Sequence, residues 1–142
     1  VEVLSAQNVV FERNTFQNCA GIGISLTNDV SDSRVEGSVF RDLGASAVNV
    51  GHWEHDYLEK TKEPNQYLFK RGEEGAPTRV TIKNNVIRDV SQEFVQAPAI
   101  QTFYTDAMQL VHNDVGPVDY SGICVGWGWA AQLDSTTCKN NV

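Results

Sequence analysis

The chain has 142 residues, 41% of them apolar, three cysteines and a formal net charge of −7 at pH 7. That length suits one domain, 1–142, and the charge argues against a nucleic-acid backbone or an anionic membrane surface as an electrostatic partner. No apolar run reaches the roughly 18 residues a bilayer span requires.

In chain order, the first element is Phe11-Glu-Arg-Asn-Thr-Phe16, which leads into a short apolar strand at Gly23-Ile-Ser-Leu26. The same six-residue pattern returns at Val35-Glu-Gly-Ser-Val-Phe40, followed by Ala47-Val-Asn-Val50. A polar and charged insertion, 51–77, contains Pro64, Gly72, Gly75 and Pro77. The pattern resumes at Ile82-Lys-Asn-Asn-Val-Ile87 with Ala99-Ile-Gln-Thr102, and again at Leu110-Val-His-Asn-Asp-Val115 with Gly122-Ile-Cys-Val125. A fifth start stands at Cys138-Lys-Asn-Asn-Val142.

The starts at Phe11, Val35, Ile82, Leu110 and Cys138 are 24, 47, 28 and 28 residues apart. Once the long insertion, a shorter one over Ser91–Gln96 and a lengthening near Ala130–Thr137 are set aside, each coil is about 23 residues, a solenoid period. Ile22, Ile24 and Leu26, or Val48 and Val50, alternate as a strand with one buried face does. Gly, Asn, Asp and Ser recur too often for helices. Strands repeating at one period without helices must pair coil to coil, about 4.8 Å apart. The expectation is an all-β chain wound as a parallel β-helix of about four coils.

Asn14, Asn84 with Asn85, and Asn113 recur at a corner, with Gly37-Ser38 in the same place. Asn tolerates left-handed backbone and hydrogen-bonds neighbouring peptide groups, so these read as structural. Asn18, Asp42 and Asp89 share another turn and read the same way. Cys19 aligns with Leu43, Val90 and Val118 and reads as a small buried hydrophobe. Cys124 should face outward and Cys138 inward, so no bridge between them is expected. Because the chain breaks off inside a coil, flanking coils of a longer protein are expected on at least its C-terminal side.

Counting on from each second strand places Asn28, His52, Tyr104 and Trp127 in one register, then Asp29, Trp53, Thr105 and Gly128, then Glu54, Asp106 and Trp129. Rings stack on apolar sugar faces and carboxylates bind hydroxyls or move protons, so His52, Trp53, Tyr104, Trp127 and Trp129 form a candidate glycan strip. The competing reading is that these rings cover sheet faces beneath loops. His52, Glu54, His55 and Asp56 match no established zinc spacing, and no metal or other cofactor is expected. Glu93 lies in an insertion where no repeat rule demands a carboxylate. Asp119, before Tyr120 and Ser121, is either a turn former or a site carboxylate.

Asn85-Val-Ile-Arg-Asp-Val90, Gln92-Glu-Phe94, Ala97-Pro-Ala-Ile100 and Asp119-Tyr-Ser-Gly-Ile-Cys-Val-Gly-Trp-Gly-Trp129 resemble right-handed parallel β-helix proteins of the pectin-lyase-like superfamily. The likeness is closest to glycoside hydrolase family 141 and its uncharacterised relatives. It implies a secreted or cell-surface protein acting on plant or microbial polysaccharide. Hydrolysis would use two carboxylates drawn from Glu93, Asp119, Glu54 and Asp106. The alternatives are a polysaccharide lyase, disfavoured by scattered basic residues and an acidic face, and a carbohydrate-binding or adhesin solenoid that cleaves nothing.

Overall fold

The computed structural model describes residues 1–51, 75–103, 105–126 and 136–142. In chain order the strands are β1 (Glu2–Val3), β2 (Val10–Glu12), β3 (Thr15–Cys19), β4 (Ile24–Leu26), β5 (Arg34–Glu36), β6 (Val39–Leu43) and β7 (Val48–Val50). They continue as β8 (Thr81–Lys83), β9 (Val86–Arg88), β10 (Ile100–Thr102), β11 (Gln109–Val111), β12 (Asp114–Val115), β13 (Ile123–Cys124) and β14 (Thr137–Lys139). No helix occurs among the described residues.

Every strand pair is parallel. The strands form three sheets, β1-β4-β7-β10-β13, β14-β11-β8-β5-β2 and β12-β9-β6-β3, called here the first, second and third. The chain visits one strand of each sheet per coil, so it is a parallel β-helix. Partners such as Ile24↔Val48 and Ile100↔Ile123 are 24 and 23 residues apart, the period expected from the sequence.

The six-residue units stack as aligned: Phe11 on Val35, Val35 on Ile82, Ile82 on Leu110, Leu110 on Cys138. Each unit nevertheless splits into two strands in different sheets, so a coil has three strands where the alternation had suggested two. The break falls at Arg13, Gly37, Asn84, His112 and Asn140, all left-handed, with φ between 54° and 61°. The residue after the break turns inward in the second, third and fourth coils, whereas Asn14 in the first is exposed. Ser38, Asn85 and Asn113 are buried there.

These inward residues form a ladder. Ser38 N–H donates to Asn85 Oδ1 (2.9 Å), Asn85 N–H to Asn113 Oδ1 (3.2 Å) and Asn113 N–H to Asn141 Oδ1 (2.9 Å). The Nδ2 groups of Asn85 and Asn113 donate to the same oxygens, both at 2.9 Å. They also reach the carbonyls of Val35 and Ile82. Where the second coil has Ser38, its hydroxyl accepts from Asn14 N–H at 3.2 Å and so fills the rung.

Between the sheets lies one apolar core. Ile24, Leu26, Val48, Val50 and Ile100 come from the first sheet, Val35, Ile82 and Leu110 from the second, Phe40 and Ile87 from the third. Burying such a side chain stabilises the fold by about 1.5–3 kcal/mol. Phe16 stacks on Phe40 with ring centroids 4.9 Å apart and planes 6° apart, one ring per coil.

Cys19 is exposed, not buried. It lies on β3, the outermost strand of the third sheet, so a neighbouring strand, with Leu43 in register, flanks it on one side only. Cys138 takes the inward register over Leu110 yet is exposed for the same reason, on edge strand β14. Cys124 pairs with Gln101 and hence falls in an outward column. All three thiols are free.

Replacing a rung strands buried amide groups at about 1–3 kcal/mol each, whereas an exposed ion pair contributes about 0–1 kcal/mol. Asn113→Ala is therefore expected to lower unfolding free energy by about 2–4 kcal/mol in urea titration. Asp114→Ala, which removes the exposed Arg88–Asp114 pair, should cost less than about 1 kcal/mol. Equal effects would contradict the ladder's role.

Candidate functional site

Each coil turns three corners. The second-to-third corner carries the ladder. The other two bracket the first sheet: residues arrive from the third sheet at one end of its strands and leave for the second sheet at the other. The candidate carboxylates among the described residues divide between these two ends.

Glu93 and Asp119 occupy the arriving corner in consecutive coils, before β10 and β13 respectively. Both are exposed. The Glu93 segment is longer than its counterparts and is held by backbone bonds to the coil beneath. Ser91 N–H donates to Ala45 O (3.1 Å) and Gln92 N–H to Leu43 O (3.2 Å). The N–H groups of Glu93 and Phe94 share Gly44 O at 3.0 and 2.8 Å. Gly44 has no space for a side chain, because a Cβ there would collide with the Ala20 carbonyl of the first coil. That close approach fixes the carbonyl from which Glu93 hangs.

This anchoring opens a groove of about 500 Å³ lined by Asn18, Cys19, Asp42, Gly44, Glu93 and Phe94, among others. Two carboxylates thus line one groove. Asn18, Asp42 and Asp89 are left-handed, with φ of 56°, 53° and 50°, consistent with the repeated turn role the sequence suggested. Asp42 thus combines the left-handed turn with a place in the groove lining. Phe94, 61% exposed, also lines a second groove of about 370 Å³ that runs onto the outer face of the first sheet.

That outer face is a column of outward side chains, Glu2, Ser25, Asn49, Gln101 and Cys124, stacked in register. Asn49 and Gln101 line the second groove. Neither they nor Phe94 was singled out from the sequence. The signal was available: Asn49 and Gln101 are the polar outward positions of otherwise apolar second strands, and Phe94 adjoins the insertion carboxylate.

Asp106 lies at the departing corner, beyond the far end of β10 from Glu93. It is half-buried and bridges to Thr78, which bridges in turn to Ser31. Its carbonyl accepts from Arg79 N–H at 3.0 Å. Arg79 also forms a two-pronged pair with Asp32, 2.6 and 2.7 Å. The hydrogen bond to Arg79 lowers the Asp32 pKa, and Arg79 is raised chiefly by that same bond with a smaller push from the Asp106 charge. The pair's small contribution is present above the ordinary carboxyl pKa and is lost as pH falls through the lowered one. Asp29 braces this corner too, its carboxylate accepting from Gly75 N–H at the end of the long insertion.

Asp106 is thereby engaged in the scaffold and is not brought to Glu93. Glu54, His52, Trp53, Tyr104, Trp127 and Trp129 lie outside the described residues, as do His55 and Asp56. Among the described residues no cluster of three or more His, Cys, Asp or Glu side chains is placed to hold a metal. Comparison with protein-family profiles, characterised proteins and solved structures finds no match to this chain.

Cys124 marks the C-terminal end of the outward column, and burial raises its thiol pKa. At about pH 8 it should hold less thiolate and alkylate more slowly than an exposed thiol. Iodoacetamide labelling followed by peptide mass spectrometry should modify Cys19 and Cys138 before Cys124. Fastest modification of Cys124 would contradict this placement.

Proposed function

We propose that this chain belongs to a carbohydrate-active β-helix protein, secreted or cell-surface, that hydrolyses glycosidic bonds in a plant or microbial polysaccharide. The observation that carries the reading is the shared groove: Glu93 and Asp42 line it beside an exposed aromatic ring, Phe94. Carboxylates beside an aromatic face supply what glycoside hydrolysis requires, a proton donor, a nucleophile or base, and a surface for the apolar side of a sugar. Asp119, at the same corner one coil on, is the other partner available to Glu93. In this reading Glu93 is the acid/base group, and Asp42 or Asp119 provides the second carboxylate.

The exposure of Glu93 and Asp119 favours a second reading, in which the surface binds glycans without cleaving them. Hydrolytic chemistry is favoured in a site from which water is excluded, and solvent surrounds both groups. A sugar seated in the groove would itself displace this water, which is how an open site becomes a working one.

Reducing-end release from neutral and acidic plant polysaccharides tests the two readings. If the chain, alone or within a longer protein, cleaves one of them, Glu93→Gln should reduce turnover by roughly 100-fold or more. Asp42→Asn or Asp119→Asn should do the same, with thermal unfolding unchanged. Full turnover in Glu93→Gln would remove it from the mechanism. Binding without reducing-end release would favour the second reading.

A further inference from the structure

The second groove differs in chemistry from the carboxylate groove. Its lining includes Ile22, Ala45 and Ala97 as an apolar surface, with Phe94 shared between the two grooves and Asn49 and Gln101 supplying carboxamides. None of the described lining residues is ionisable. Its volume, about 370 Å³, falls in the range of roughly 300–1,000 Å³ typical of small-molecule sites.

Two details bear on what it holds. Asn49 and Gln101 are register partners on adjacent strands, so their carboxamides are repeated about 4.8 Å apart. That spacing lets both reach hydroxyls of a single sugar ring. The Asn49 Oδ1 is buried and has no hydrogen-bond partner. A buried acceptor left unpaired is costly, and because this oxygen is closed to solvent a ligand hydroxyl reaches it only when the Asn49 side chain rotates toward the groove.

We infer that this groove is a subsite for a neutral sugar unit, with Phe94 stacking on the ring and Asn49 and Gln101 binding its hydroxyls. The inference rests on the carbohydrate reading above and adds a substrate class to it. A uronic acid is disfavoured because its carboxylate would find no cation among the described lining residues and would sit beside the groove that holds Glu93 and Asp42. A neutral ring meets an aromatic face, an apolar surface and two amides without any uncompensated charge. Phe94, common to both grooves, places this unit next to the carboxylates, so the neutral sugar adjoins the bond that Glu93 would act on.

A glycan array carrying neutral xylan, glucan and mannan oligomers beside oligogalacturonate and alginate oligomers, probed with the whole chain, tests the proposal. A neutral oligomer should be retained in preference to every uronate. Isothermal titration with the retained oligomer should then show affinity falling roughly 10-fold or more in Phe94→Ala and in Gln101→Ala, consistent with loss of a stacking or hydrogen-bonding contact. Asn49→Ala should weaken binding likewise. Because Phe94 is exposed, its variant should fold normally, which circular dichroism and thermal melting verify. Preferential retention of uronates, or neutral binding unchanged in both Phe94→Ala and Gln101→Ala, would overturn the subsite while leaving the carboxylate groove in place. Retention of no glycan at all would overturn the carbohydrate reading and this inference together.

Discussion

The side-chain amide ladder at the second-to-third corner is the interaction on which the rest of the structure depends. A three-residue strand has little register information of its own, since a slip of one residue exchanges its buried and outward faces. Asn85, Asn113 and Asn141 remove that ambiguity by tying each corner to the corner of the next coil through backbone and side-chain donors. With that corner fixed, Phe11, Val35, Ile82 and Leu110 stack inward and the other two sheets inherit their registers. The ladder faces the core, leaving the opposite corners free to vary in length.

Variation is concentrated where the scaffold can absorb it. The residues after Val90 leave the common path and return before Ile100, and they are held by backbone hydrogen bonds to Leu43, Gly44 and Ala45. Gly44 is the compact point of that attachment, because any side chain would drive the first two coils apart. The result is a base carrying Glu93 and Phe94 over two adjoining grooves, one lined by acidic residues and one with no ionisable group among its described lining residues. Asp106, Asp32 and Arg79 at the other end of the first sheet do different work. They bind one coil to another where the long insertion begins and ends.

Much of this was legible in the sequence because a solenoid writes its contacts at a fixed period. Aligning Phe11, Val35, Ile82 and Leu110 yields the register of the second sheet directly. The split of each unit into two strands was harder to read, because left-handed backbone falls on Arg13 and His112 as well as on Gly37 and Asn84, and side-chain identity alone does not announce it. Cys19 misled for a related reason: alignment gives a residue's direction, whereas burial also depends on whether a neighbouring coil covers it. The groove could not be read from the repeat. Asp42 looked like a turn residue, which it is, and only the return of the Ser91–Gln96 segment over the second coil brings Glu93 beside it. Asn49 and Gln101 were hidden by the same regularity, as polar positions on the outward face of a strand.

A crystal structure of the chain soaked with a neutral oligosaccharide that it binds would locate the sugar directly. Sugar density is expected on the outer face of the first sheet, one ring against Phe94 with hydroxyls toward Asn49 and Gln101, and the next linkage toward Glu93. An ordered glycan lying instead on the outer face of the second or third sheet, with the Phe94 and Glu93 grooves empty, would contradict it.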